Sequence, residues 1–157
     1  MNIYDCVGED FKGRPVFVYN IRNLRFSQIQ DNVDKYLDFY FFYTDLGVTD
    51  RCKGWADESL MLWDGRDFVM DNFNIGVIKR LIERSFALHY FSRQYRVISY
   101  NNGFVIKGVL NIVKGLLPKH VVELMTIMGN DQKEIRQEME KYMPEAVAER
   151  CLKGKGQ

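Results

Sequence analysis

Hydrophobic and polar residues recur along this chain in two periods, and the switches between them divide it into elements. "GRPVFVYNI" (Gly13 to Ile21) sets Val, Phe, Val and Tyr after a Gly-Arg-Pro entry and predicts a strand. From Ser27 the period lengthens. Ile29, Val33, Tyr36, Leu37, Tyr40 and Phe41 share one helical face, with Gln30, Asp31, Asp34, Lys35 and Asp38 mostly opposite. Ser27 and Gln30 have the spacing of a capping box. "TDLGVTDRCKGWADE" (residues 44–58) carries charge, two glycines and no sustained period, and predicts a loop. "SLMLWDG" (Ser59 to Gly65) predicts a short strand. A helix is expected from Asn74 to Tyr90, its apolar face marked by Ile75, Ile78, Leu81, Ile82, Phe86 and Ala87. "YRVISYNNG" predicts a strand that ends in an Asn-Asn-Gly turn.

The next helix, Val105 to Leu117, is unusually greasy. Val105, Ile106, Val109, Leu110, Ile112, Val113, Leu116 and Leu117 are aliphatic, and the polar stripe is only Lys107, Asn111 and Lys114. Gly108 and Gly115 lie two turns apart within it, and Pro118 closes it. A helical turn at Lys119 to Val121 leads to an apolar strand, "ELMTIMG", then to a charged helix from Asp131 to Met143 that stops at Pro144. The tail "CLKGKGQ" is polar. Strands alternating with helices predict an α/β fold with a mainly parallel sheet, flanking helices and right-handed crossovers. The apolar strands are expected to be covered on both faces.

Composition narrows the class. The 157 residues include nine Tyr and eleven Phe, show no repeat or linker, and fit one domain over residues 1–157. Cys6, Cys52 and Cys151 are odd in number and far apart, as expected for reduced thiols in a cytoplasmic protein. The acidic start "MNIYDCVGED" has no apolar h-region, and no apolar run is long enough to span a bilayer. The formal net charge of +1 conceals an asymmetry. Phe73 to His120 holds eight Lys or Arg against one acid, a local +7 that leaves −6 elsewhere.

Enzyme signatures are missing. There is no phosphate loop, dinucleotide fingerprint or nucleophile elbow, and the two histidines, His89 and His120, cannot build a His-rich metal site. Asp64 and Asp67, flanking "DGRD" at a strand end, together with His120, are the residues an enzyme of this class would use. No cofactor, metal or nucleic-acid partner is expected.

The order "GRPVFVY", "SLMLWDG", "YRVISYNNGF", "FVIKGVLNIVKGLLP" and "LMTIMG", then a charged helix with a Pro near its end, resembles the CRAL-TRIO lipid-binding family. The likeness covers a core of about residues 12–152. It implies that the greasy helix is a gate over an apolar pocket, closing over a bound lipid and opening at a membrane. It implies Phe86, Val109, Leu110, Val113, Leu116 and Leu117 as ligand-facing residues. Arg93, Lys107, Lys114, Lys119 and His120 would meet headgroups or the membrane surface. The positions that hold phosphatidylinositol in some members fall here at Ser92, His120 and Glu123, and none keeps the family residue. Those used for choline lipids fall at Val69 and Asp71. The helical module that precedes the domain in the transfer proteins is expected to be absent. The implied protein is a cytoplasmic, peripherally membrane-associated carrier of a phospholipid or other hydrophobic molecule. The alternative is a lipid-free module of the same fold that binds a protein partner.

Overall fold

The computed structural model describes residues 3–52 and 58–153. A five-stranded sheet runs in the order β1 (Tyr4–Glu9), β2 (Pro15–Asn20), β3 (Ser59–Asp64), β4 (Gln94–Tyr100) and β5 (Met125–Ile127). β1 pairs antiparallel with β2, and every later pair is parallel. The α/β class, the largely parallel sheet and the flanking helices are therefore as the alternation of periods predicts.

The helices are α1 (Phe26–Ile29), α2 (Val33–Cys52), α3 (Ile75–Ala87), α4 (Phe104–Lys114), α5 (Lys119–Glu123), α6 (Gln132–Glu140) and α7 (Glu145–Lys153). The period-two alternation of the strands sorts their side chains cleanly. Val16, Val18, Leu60, Leu62, Ile98 and Tyr100 point to one face. There they pack on Ile135 and Met139 of α6, on Met143, and on Val147, Ala148 and Cys151 of α7. Phe17, Met61 and Val97 point to the other face, where Val48 of α2 and the ring of Tyr4 cover them.

Four expectations change. β1 is an added edge strand: Tyr4 buries its ring against Phe17, at 4.9 Å between centroids, although the segment reads as polar. α2 continues to Cys52, through part of the segment read as a loop; residues 53–57 of that segment lie outside the described residues. Gly47 is the reason the period looked broken. A Cβ there would stand 2.6 Å from two ring carbons of Phe17, so the helix needs glycine to approach β2. The helix from Ser27 is interrupted by a 3-10 turn at Gln30–Asn32. Ser27 does not cap it, but gives both its N–H (2.9 Å) and its hydroxyl proton (2.6 Å) to the carboxylate of Asp71. Finally, α7 replaces most of the polar tail; residues 154–157 lie outside the described residues.

Candidate functional site

The second face of the sheet is only partly filled by α2. Next to α2, α3 and α4 stand off the strands and leave an apolar cavity of about 150 Å³. Its floor comes from Tyr19, Trp63, Val97 and Met125 of four successive strands. One wall is α3, through Val77, Ile78, Leu81, Ile82 and Ser85. α3 begins where the Asn74 side chain accepts the N–H groups of Gly76 and Val77, and its apolar residues recur at helical spacing. Phe26, Phe68, Phe73 and Phe91 close the ends.

α4 forms the opposite wall. Ile106, Val109, Leu110 and Val113 face the cavity, joined by Leu117 and by Val121 of α5. Its outer face is apolar too. Phe104 is 95 % exposed, and Val105 and Ile112 are more than half exposed. The two glycines differ in their surroundings. A Cβ at Gly108 would meet nothing within 4 Å, so no packing requires that glycine. Gly115 ends the helix, its N–H reaching back to the carbonyls of Asn111, Ile112 and Val113. The single greasy helix from Val105 to Leu117 is thus an 11-residue helix and a turn.

The base of α4 is fixed by a polar network at the strand ends. The Ser99 hydroxyl donates to Asn102 Oδ1 (3.0 Å), and Asn102 Nδ2 donates to the Met128 carbonyl (2.9 Å). Asn101, at φ 55°, donates to Asp64 Oδ1 (3.0 Å) and accepts from Gln132 Nε2 (2.7 Å). Buried Asp64 also holds Arg66, whose Nη1 reaches the Leu152 carbonyl at 3.1 Å. Asp67 is exposed and pairs instead with Arg22 (3.2 Å). The two aspartates considered for catalysis are thus committed to different arginines, and His120 lies exposed on α5. Among the described residues, no group of three His, Cys, Asp or Glu is placed to hold a metal.

Several expected site residues are dispersed. Val109, Leu110, Val113 and Leu117 line the cavity, but Leu116 and Phe86 do not. Phe86 is 47 % exposed and packs edge-on against Phe91, itself a wall residue that the pattern did not single out. The basic segment is largely answered by α2. Arg80 pairs with Asp34, Arg84 with Asp38, and Arg93 with Asp45 at 2.9 Å. Arg93, expected at a headgroup, is therefore part of the α2–α3 contact. Lys119 stands 3.8 Å from Glu123. Lys107 and Lys114 pair with no carboxylate among the described residues. Tyr19 and Tyr40 belong to a buried phenol cluster with Tyr4 and Tyr36, in which Tyr19 and Tyr36 share a hydrogen bond. Burial pushes the Tyr36 phenol up to about 12, and those of Tyr4, Tyr19 and Tyr40 further.

A half-covered parallel sheet, with an apolar hollow beneath an aliphatic helix, is the design of a protein that shelters a hydrophobic guest. The sequence model of the CRAL/TRIO domain matches residues 4–154, and the chain belongs to that family, which generally binds and transfers lipophilic ligands. The fold is similar to the crystal structure of Sfh5, a Sec14-like protein, with a TM-score of 0.70 at 14 % identity over 87 % of this chain. The chain spans 50 % of that structure's length. No curated protein sequence is significantly similar to the chain. No helix among the described residues is long and apolar enough to cross a membrane.

Proposed function

We infer that this protein takes up a lipophilic ligand beneath α4 and exchanges or presents it at membrane surfaces. The observation that carries this reading is the apolar cavity between α3, α4 and the sheet. A void of about 150 Å³ holds a group of benzene size. A longer ligand therefore requires α4 to move outward. Each methylene sheltered from water contributes about 0.8 kcal/mol, so a chain of roughly fifteen supplies about 12 kcal/mol toward displacing the lid. The outer face of α4 suits such movement at a bilayer interface. Phe104, Val105 and Ile112 offer apolar contact there, and Lys107 and Lys114 stand at headgroup level on a peripherally bound, cytoplasmic protein. The ligand-facing residues in this reading are Val109, Leu110, Val113 and Leu117. The whole chain acts as one domain, without a cofactor or bond-making chemistry.

Native mass spectrometry of protein purified from cells tests the reading, together with transfer of labelled lipid between vesicles. A co-purifying lipid and measurable transfer are expected. Val109→Asp should abolish both, because a carboxylate then faces an apolar wall. A lipid-free mass with no transfer removes the carrier role.

A second reading, a lipid-free interaction module, is favoured by one observation. Phe39, Phe42 and Leu46 of α2 form an exposed stripe at i, i+3 and i+7, each at least 48 % exposed. A stoichiometric partner lost on Phe42→Ser but retained on Lys107→Glu would support it.

A further inference from the structure

The walls of the cavity constrain its guest, granted that the carrier reading is right. They include no Asp, Glu, Lys, Arg or His. Cations that a buried phosphate would require are directed elsewhere: Arg80, Arg84 and Arg93 are tied to α2 on the outside of the fold. A desolvated phosphodiester without a cationic or dense donor shell is strongly disfavoured. A head group that carries charge must therefore stay outside.

The uncharged polar groups on the walls are few, and they are not equivalent. Asn72 is fully used by the backbone. Its Oδ1 accepts the Val69 N–H at 2.7 Å, and its Nδ2 donates to the carbonyls of Leu24 and Arg22. The Tyr19 hydroxyl is paired with Tyr36. Ser85 differs. It sits on the cavity side of α3 and is only 6 % exposed, yet its Oγ has no hydrogen-bond partner among the described residues. In a helix, a serine hydroxyl ordinarily returns to the carbonyl four residues back, as Thr44 does to Tyr40 at 2.8 Å. A nearly buried hydroxyl with an unused donor and acceptor, placed on a wall of aliphatic and aromatic groups, is a site for one polar atom. Gln94, half-buried on the same cavity, likewise has a side-chain amide without a partner among the described residues.

Size narrows the guest further. A void that holds a ring of benzene size must expand for any lipid, and two acyl chains demand about twice the displacement of one. We propose that the cavity takes an uncharged, single-chain or compact-ring lipophile with one hydrogen-bonding oxygen, an alcohol, aldehyde or ketone, and that Ser85 Oγ meets that oxygen. Ser85 is then the residue that distinguishes such a molecule from a plain hydrocarbon, while α4 and the sheet supply chain affinity without regard to the head.

The test compares hexadecanol, hexadecane and phosphatidylcholine vesicles as ligands for the full chain. The two single-chain probes are delivered from cyclodextrin, and bound ligand is counted per protein. Hexadecanol should bind one per chain, about tenfold more tightly than hexadecane, as one neutral hydrogen bond in a desolvated site provides. Ser85→Ala should lower the alcohol to the level of the alkane while the affinity for the alkane stays unchanged; that constant value also reports an intact fold. Equal affinity for alcohol and alkane in the unmodified protein, or discrimination that survives Ser85→Ala, overturns the proposal. Uptake of phosphatidylcholine without uptake of alcohol overturns it too, but leaves the carrier reading standing. Failure to bind any of the three, with a lipid-free mass for protein from cells, overturns both.

Discussion

The same substitution at two glycines should change stability in opposite directions. Gly47 and Gly108 are both interior to helices, where alanine is preferred by about 1 kcal/mol. Their surroundings decide the sign. At Gly108 a Cβ meets open space, so Gly108→Ala should keep that gain and raise the unfolding free energy by about 1 kcal/mol. At Gly47 a Cβ would stand 2.6 Å from Cε1 and Cζ of Phe17, against an ordinary carbon contact of about 3.5–4.0 Å. The ring cannot retreat, because Phe17 is fully buried and stacks on Tyr4 at 4.9 Å. Either the ring or α2 must move by about 1 Å, and overpacking of this kind costs roughly 1–3 kcal/mol. Gly47→Ala should therefore lose about 1 kcal/mol net, even after the helical gain. Adding Phe17→Leu should recover part of the loss, so that the double variant is less destabilised than the two single losses together. Urea unfolding followed by circular dichroism gives each free energy from the midpoint and slope. A Gly47→Ala protein as stable as the parent, or a Gly108→Ala protein less stable than it, would refute the assignment of Gly47 to close packing and of Gly108 to an open face.

Two further outcomes follow from burial. The phenols of Tyr4, Tyr19, Tyr36 and Tyr40 are neutral in the fold and held above their usual value of 10, so their contribution is fully present below pH 10 and is lost as the pH climbs toward 12. Absorbance titration should show these tyrosines ionising only together with unfolding; independent ionisation near pH 10 in the folded protein would contradict the cluster. The Cys151 thiol is pushed up to about 12 by burial under α7, so maleimide at pH 8 should reach it only in denaturant, and rapid labelling of the native protein would show α7 to be undocked.

The pattern of apolar positions was enough to place β2, β3, β4, α3, α4 and α6 and to identify the α/β class, because each of those elements is covered on a regular face. It could not reveal β1 or α7. Tyr4 is the one fully buried apolar residue in a strand of mixed polarity, and α7 buries only Val147, Ala148 and Cys151 in a short segment after Pro144. Glycine misled in α2, since Gly47 marks a close approach to Phe17 and not a turn. Of the residues expected around the ligand, Val109, Leu110, Val113 and Leu117 share the inward face of α4 and its exit, a relation that helical spacing contains. Phe86 belongs by spacing to the apolar side of α3, but only its neighbours reach the cavity.

The charged residues show the same division. The sequence by itself determined that residues 73–120 are strongly basic and that α4 is apolar on nearly every side. Tertiary structure decided where that charge goes. α2 lies beside α3, and Asp34, Asp38 and Asp45 face Arg80, Arg84 and Arg93, leaving Lys107 and Lys114 on α4 without carboxylate partners among the described residues. It also decided that the hollow beneath α4 has uncharged walls and a single nearly buried hydroxyl at Ser85. The reason is physical. Periodicity records which side of one element avoids water, whereas a cavity and an ion pair exist only between elements, in distances that no single stretch of chain encodes.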